Sequence, residues 1–186
     1  MYTVAYTSTA TGTRSVKIHG SLSIGNKQYK AGDEIPWTSV YPFFLFHMGI
    51  FGASGFLMAY GDDRPDISFL YAHGGIAILV YTIFYLAMFG LDEVKWMFLN
   101  ALFGLLGLYT QIGWILTWFG RDIGDYPLSV HVTPFLYFTL YSFLVRRAVL
   151  DLTNSTEDRT RKQKVETGYI IVTLAINLGC FLLQML

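Results

Sequence analysis

Histidine can act as an acid, a base or a metal ligand, and three of the four histidines in this sequence fall within long apolar runs. They are His47, His73 and His131. An ionisable side chain inside a membrane span is energetically costly and usually faces other protein groups or a cavity. At about 1.5 Å of rise per residue, helices through these runs place His73 and His131 roughly 8 Å and 6 Å from the same side, and His47 near the middle. The pair is therefore predicted to lie at one depth.

Two short loops on that side carry five acidic residues and two arginines. The first loop contributes Asp62, Asp63, Arg64 and Asp66, and the second contributes Arg121, Asp122 and Asp125. Imidazole and carboxylate groups bind zinc and other divalent ions, and they also act as acids and bases. No HExxH or comparable local motif occurs, so catalytic residues stay unassigned. The predicted metal ligands are His73, His131, Asp62 and Asp66.

The same loops also have a purely structural interpretation. Asp66 and Asp125 stand where they can cap the helices that follow them. Asp62 and Asp63 suit a turn, and arginines such as Arg121 can pair with these acids or with lipid phosphates. The sequence leaves open whether the loops form ordinary caps and turns, a metal or acid–base site, or a substrate gate.

Haem is a second possible cofactor at the same place. A b-type haem needs axial ligands, usually histidines from different helices at matching depth, and His73 and His131 meet that requirement. Only one such pair exists, whereas electron transfer across a bilayer calls for a second haem or a quinone pocket. No GxSxG sequence or phosphate-loop pattern occurs, so nucleophilic catalysis and nucleotide binding are not indicated.

Two predicted helices carry polar or small residues along a single face, at spacings of three and four. In the third helix these are Asn100, Gly104, Gly107, Gln111, Trp114 and Trp118. In the fifth helix they are Tyr169, Thr173, Asn177, Cys180 and Gln184. Small residues permit close helix packing, and amides can hydrogen-bond across an interface. We predict helix packing for both faces, with a polar cavity or transport path as the alternative.

The first helix has its own set of small residues, Gly49, Gly52 and Gly55. Their spacing of three also predicts a helix-packing face. His47 lies in the same helix, and we expect it to be a packed residue held by a hydrogen bond.

Composition indicates a membrane protein, because 53% of the 186 residues are hydrophobic and only 14% are charged. Soluble domains average about 25% charged residues. Five runs are long enough for the roughly 20 residues that a membrane-spanning helix needs. These predicted spans cover residues 39–60, 67–89, 95–119, 127–145 and 167–186.

The lysines and arginines predict how the spans are oriented. With five crossings, eleven of the thirteen fall on the side of the N-terminus, and six of these lie in a predicted loop over residues 146–164. The other side receives only Arg64 and Arg121. Because cytoplasmic segments carry the excess of basic residues, the N-terminus is predicted in the cytoplasm and the C-terminus outside. Compactness and the lack of organelle signals favour a bacterial inner (plasma) membrane.

Residues 1–37 form a separate cytoplasmic segment ahead of the bundle at 38–186. Residues 1–14 lack an apolar core of the signal-peptide type. Apolar and polar residues alternate from Val16 to Ile24, and Gly25 and Asn26 can form a two-residue turn into the next strand. Since an isolated hairpin is marginal in water, this β-hairpin is expected to rest on the bundle, on the basic loop or on a partner.

The fold class predicted from the sequence is therefore an all-α integral membrane protein, a bundle of about five transmembrane helices with a small N-terminal cytoplasmic β-hairpin. Zero formal net charge gives no indication of a nucleic-acid partner. The favoured function is a non-enzymatic accessory or assembly component that sits in the lipid bilayer and acts through a protein partner, or as a homo-oligomer. The alternative is a membrane-embedded enzyme or small transporter with a metal, haem or acid–base site near the outer leaflet.

Overall fold

The computed structural model describes residues 15–24, 26–62 and 64–186. Asp63 of the predicted acidic loop, Gly25 of the predicted turn and Arg14 of the basic N-terminal segment lie outside the described residues, as does the remainder of 1–14. The side chain of Val94 is likewise not described.

Five helices in the described residues are long and apolar enough to cross a membrane. They are α1 (Trp37–Tyr60), α2 (Ile67–Phe89), α3 (Lys95–Thr117), α4 (Leu128–Leu152) and α5 (Arg159–Gln184). A hydrocarbon core of about 30 Å needs roughly 20 helical residues, and each helix meets that length. The helical, five-span architecture is compatible with an integral membrane protein.

Helices α4 and α5 extend well beyond the predicted spans. The predicted loop over 146–164 is wrong, because α4 continues to Leu152, α5 begins at Arg159, and only residues 153–158 connect them. Charge at Arg146 suggested the end of a span, yet the helix continues because this arginine is ion-paired inside the protein. Asn154 has a positive φ of 51° just past α4, a conformation that asparagine tolerates better than most residues.

Helix α4 occupies the centre of the bundle and packs against α1, α2 and α3. Small residues on the neighbours let it approach closely. A Cβ atom at Gly55 of α1 would lie 2.9 Å from the Tyr137 ring, and one at Gly107 of α3 would overlap Phe138. Helix α4 also contacts α5, so side chains along it are positioned by all four other helices.

Helices α3 and α5 meet through the two polar faces that the sequence indicated. Residues Leu108–Ile112 of α3 form one π-helical turn. Asn177 of α5 accepts hydrogen bonds through Oδ1 from Thr110 Oγ1 at 3.0 Å and from Gln111 Nε2 at 2.8 Å. Gln184 Nε2 donates to the backbone oxygen of Tyr109 at 3.1 Å. These contacts are the helix packing predicted for the two faces.

Four short strands precede the bundle and form two antiparallel pairs. Strand β1 (Ser15–Lys17) pairs with β4 (Glu34–Pro36), and β2 (Leu22–Ile24) pairs with β3 (Lys27–Tyr29). The predicted hairpin is confirmed for β2 and β3. The predicted continuous alternation from Val16 to Ile24 is interrupted, because the amides of His19 and Gly20 both donate to the Ala87 oxygen of α2.

The strands are part of the bundle's hydrophobic core. Val16, Ile18 and Ile35 are buried with Tyr41 and Phe89 of the helices. The hairpin contributes partly buried side chains to the same core: Leu22, Ile24 and Tyr29. Of the three supports expected for the hairpin, the bundle itself is the one observed. We call this end of the molecule, with the strands and residues 90–94 and 153–158, the β end.

Candidate functional site at the β end

Arg146 of α4 lies at the centre of a buried ion cluster at the β end. Only 1% of its side chain is exposed. Nη1 donates to Glu93 Oε2 at 2.9 Å, and Nη2 pairs with Glu166 of α5. The guanidinium carbon lies 3.9 Å from the centroid of the Trp96 ring, within cation–π distance. Arg146 thereby ties α4 to α5 and to the connection between α2 and α3.

Arg147, the next residue, is also buried, with 7% of its side chain exposed, but its partners are farther away. Nη1 lies 3.3 Å from Glu93 Oε1, and Nη2 lies 3.6 Å from Asp151 Oδ1. Nε and Nη1 have no hydrogen-bond partner among the described residues. A buried N–H group that lacks an acceptor costs about 1–3 kcal/mol, so Arg147 is incompletely satisfied.

Glu93 joins both arginines and a lysine. Besides Arg146 and Arg147, it accepts a hydrogen bond from Lys162 Nζ at 3.2 Å. Burial alone would raise the pKa of this carboxyl, but the charges of Arg147, Arg146 and Lys162 outweigh it and lower the pKa below the ordinary glutamate value. Glu93 is therefore a carboxylate at neutral pH, and it joins the connection between α2 and α3 to residues of α4 and α5.

Asp151 links the cluster to α1. It accepts hydrogen bonds from the Tyr41 hydroxyl and, at 2.6 Å, from Thr156 Oγ1. Together with the contact to Arg147, these bonds occupy both carboxylate oxygens. Asp151 therefore fixes the position of Arg147 relative to the start of α1.

A polar cavity of about 510 Å³ lies between strands β1 and β4 and the end of α4. Its lining combines basic, acidic and neutral polar groups. The charged and imidazole side chains in the lining are Lys17, His19, Glu34, Arg147, Asp151 and Glu157. Both signs of charge are present on the walls, so the cavity suits a polar ligand rather than an apolar one.

In the β2–β3 hairpin each strand is paired along one edge only. Within the described residues, no further strand pairs with the other edge of either strand. Ser23 and Gln28 form the middle pair of the hairpin, and both are exposed. Lys27 and Lys30 are exposed beside them. Open strand edges present backbone N–H and C=O groups that another chain can pair with.

The two histidines predicted as ligands occupy separate hydrogen-bonded positions. His131 is buried, and its Nδ1 lies 2.9 Å from the Tyr60 hydroxyl. His73 Nε2 lies 3.3 Å from Ser54 Oγ, and its Nδ1 lies 3.5 Å from the Tyr137 hydroxyl. Among the described residues, no hydrogen bond or ring contact joins His73 to His131.

Asp66 and Asp125, in the loops opposite the β end, both accept hydrogen bonds from backbone amides. Asp66 accepts a hydrogen bond from the Phe69 amide at 3.0 Å, which confirms the predicted cap of α2. The predicted cap of α4 by Asp125 is wrong. Asp125 instead accepts from the Asp122 amide at 3.2 Å in a short helical turn, and Pro127 occupies the cap position, where a fixed φ favours helix entry.

Arg121 in the same region bonds to the protein itself. Its Nη1 donates to the Tyr60 backbone oxygen and to the Tyr126 hydroxyl, the latter at 2.9 Å. Across the described part of the chain, no three His, Cys, Asp or Glu side chains are grouped so that they could hold a metal ion. A metal site at His73, His131, Asp62 and Asp66, and a haem at the histidine pair, stay predictions.

Two further polar residues bond within their own helices. His47 is partly exposed, and its Nδ1 lies 2.8 Å from the Phe43 backbone oxygen, one turn earlier in the same helix. Asn100 is buried, and its Nδ2 donates to the Trp96 backbone oxygen at 2.7 Å.

The glycines of α1 serve two different purposes. Gly55 contacts Tyr137 of α4, as the packing prediction requires. Gly49 and Gly52 do not, because a Cβ atom at either would meet no atom within 4 Å. They line an apolar groove of about 480 Å³ between α1, α3 and α4, so the prediction of helix packing is wrong for these two.

Four residues of the ion cluster were missed as site residues, because the sequence interpretation placed the two arginines in a basic loop after the fourth span and gave the two glutamates no role. They are Arg146, Arg147, Glu93 and Glu166. Arg147 and Asp151 are spaced by four, a spacing that brings opposite charges together on a helix. That spacing, followed by further apolar residues, was the available signal that α4 continues past its arginines.

Comparison with known proteins assigns no family: no protein-family model, curated protein or solved structure matches this chain significantly. Its function is therefore inferred from its own residues and contacts.

Proposed function

We propose that this protein is a non-enzymatic accessory component of a membrane and that a partner protein docks on the β2–β3 hairpin. The observation that carries the proposal is a hairpin with open edges that is built into the bundle's core. The partner would add an extended segment as a further strand, a common mode of peptide recognition.

Anchoring makes the hairpin a suitable docking site. Leu22, Ile24 and Tyr29 pack against the same core as the buried residues of β1 and β4. A free two-stranded hairpin would have to be ordered by its partner, and that ordering would weaken binding. Here the helices hold the strands in place before the partner arrives.

The register identifies which backbone groups are available. Ile24 pairs with Lys27, so only two positions of the chain separate the paired residues. In such hairpins the pair flanking the loop exchanges hydrogen bonds, and the next pair does not. The amides of Ser23 and Gln28 therefore point away from each other, toward the open edges. Of these two positions, Gln28 is the better one to substitute, because the exposed Lys27 and Lys30 lie on the same strand.

The exposed lysines indicate the chemistry of the partner segment. Lys27 and Lys30 border the edge of β3. Acidic side chains in the incoming strand would complement them, which raises the association rate and favours one register. We therefore expect an extended, acidic segment.

The proposed setting is a bacterial inner membrane with the β end in the cytoplasm. Among the described lysines and arginines, all except Arg64 and Arg121 belong to segments at the β end. This bias supports a cytoplasmic β end through the positive-inside rule. The partner would then be a cytoplasmic protein or the cytoplasmic part of a membrane protein.

The test compares two substitutions at one position. Gln28→Pro removes the outward N–H of β3 without removing a hydrogen bond of the hairpin, because proline is tolerated at a strand edge that faces solvent. Gln28→Val keeps that N–H and serves as the matched control. Each variant is purified from native membranes in mild detergent, and each co-purifying protein is quantified per copy of this chain by mass spectrometry.

We expect one protein with an acidic extended segment to be recovered with wild type and Gln28→Val. Its yield should fall about fivefold or more with Gln28→Pro, the effect of one lost hydrogen bond and of the ring. Equal recovery by the two variants would contradict edge pairing. Purification of the chain alone, or as an assembly of itself only, would overturn the partner proposal, and the second result would indicate a homo-oligomer.

A further inference from the structure

The polar cavity at the β end has walls of different chemistry. One wall is the end of α4, where Arg147 lies over the ring of Phe89. The other is formed by β1 and β4, where Glu34 lies opposite Lys17 in the strand register. The cavity is separate from the β2–β3 edge, since none of the strand residues in its lining belongs to β2 or β3.

The α4 wall contains an arginine whose hydrogen bonding is incomplete. Arg147 is more than nine-tenths buried, yet Nε and Nη1 have no hydrogen-bond partner among the described residues. Its ion-pair distances of 3.3 Å and 3.6 Å are longer than the 2.7–2.9 Å of a strong charge-assisted bond. An anionic group in the cavity would lie beside this guanidinium, whose Nη2 is 3.6 Å from its carboxylate partner, and would add to the compensation of its charge.

The strand wall offers a carboxylate. Glu34 is exposed and accepts one hydrogen bond, from Ser15 Oγ at 2.6 Å to Oε2. A carboxylate can accept several hydrogen bonds, so Glu34 can also receive an ammonium group. Asp151 is less suited, because Tyr41, Thr156 and Arg147 already occupy it.

The balance of charge decides between ligand classes. A purely anionic ligand would meet the carboxylates of Glu34, Asp151 and Glu157. A purely cationic one would meet Arg147 and Lys17. A ligand with charges of both signs avoids either repulsion. A cavity of about 510 Å³ is also within the range of small-molecule sites.

We propose that this cavity binds a zwitterionic group, with its phosphate or carboxylate at Arg147 and its ammonium at Glu34. A phosphoethanolamine group has this chemistry, whether it belongs to a lipid headgroup or to a free solute. Lys17 and His19 complete the strand wall beside Glu34. The binding site is independent of the partner protein at the hairpin.

The test uses detergent-purified, delipidated protein and four probes in isothermal titration calorimetry. The probes are O-phosphoethanolamine, glycerol phosphate, ethanolamine and dihexanoyl phosphatidylethanolamine. Glycerol phosphate carries only the anion, and ethanolamine carries only the cation. We expect one or both of the two zwitterions to bind, and at least tenfold more tightly than either single-charge probe.

Substitutions connect binding to the two walls. Glu34→Gln keeps the acceptor for Ser15 and removes the charge, so we expect about tenfold weaker binding of the zwitterion. Because Glu34 is exposed, this variant should fold as wild type does. Arg147→Lys keeps the charge with fewer donors and should also weaken binding. Arg161→Gln, which removes a cation outside the cavity lining, is the matched control and should bind as wild type does.

The relative affinity of the two zwitterions shows whether the natural ligand is a lipid headgroup or a free solute. Tighter binding of the short-chain lipid points to a headgroup, and tighter binding of O-phosphoethanolamine points to a free solute. The proposal is overturned if neither zwitterion binds, if glycerol phosphate binds as tightly, or if Glu34→Gln has no effect. None of these outcomes depends on the partner protein, so this inference and the docking proposal can fail separately.

Discussion

Arg146 and Arg147 are neighbours in the chain, share Glu93, and are both buried, yet their surroundings differ. Arg146 has two close carboxylate partners, Glu93 and Glu166, and one face against Trp96. Arg147 has only longer contacts to carboxylates, and it borders the polar cavity. Consecutive residues on a helix point about 100° apart, so one side chain enters the helix interface and the other turns toward the strands.

The difference distinguishes a structural charge, which is bound to other groups of the protein, from an available charge, which can still bind a ligand. Burying a charge is costly unless close partners and hydrogen bonds compensate for it. Around Arg146 both terminal nitrogens have close carboxylate partners, which hold helices together, and only Nε lacks a hydrogen-bond partner among the described residues. Compensation is incomplete around Arg147, so a ligand can still gain energy by binding there.

Arg146→Gln is expected to have the largest effect on stability. It leaves Glu93 and Glu166 without their shared partner, and breaking a buried ion pair in this way costs about 3–5 kcal/mol. The loss should appear as a lower midpoint of thermal unfolding of the protein in detergent. The double variant Arg146→Met with Glu166→Met, which removes both charges, should recover part of that loss. Equal stability of wild type and Arg146→Gln would show that the cluster does not hold the helices.

Arg147→Gln should destabilise the protein less, by about 1–2 kcal/mol, because its carboxylate contacts are long and Glu93 keeps Arg146 and Lys162. The same thermal measurement on both single variants gives the comparison directly. If Arg147→Gln were the more damaging of the two, the assignment of structural and available charges would be reversed.

Much of the fold could be predicted because its signals are local in sequence. Apolar length identified all five helices, and the two-residue turn identified the β2–β3 hairpin. The cap at Asp66 followed from one residue at one position. These features depend on neighbouring residues alone, so a single sequence is enough to predict them.

The ion cluster could not be predicted because its members are far apart in the chain. Glu93, Arg146 and Glu166 meet only after α4, α5 and the connection between α2 and α3 have packed together. A sequence shows the charge of Arg146 but not its partner, and an unpaired arginine would properly end a membrane span. The lengths of α4 and α5 and the cavity beside Arg147 were missed for the same reason.

Lowering the pH should gradually reduce the stability that the ion cluster gives the fold, because protonation of Glu93 removes its negative charge. Its pKa is lowered in the folded protein, so the folded state binds its proton less readily than the unfolded state does. The stabilisation from Glu93 is therefore complete above its ordinary pKa of about 4.3 and is lost as the pH falls through the lower folded value. In Glu93→Gln, which cannot titrate, the unfolding midpoint should decline less between about pH 6 and pH 3 than in wild type. Parallel declines of the two unfolding midpoints would mean that Glu93 contributes no pH-dependent stability. The contacts of Glu93 with Arg146 and Arg147 would then be close in distance without stabilising the folded protein.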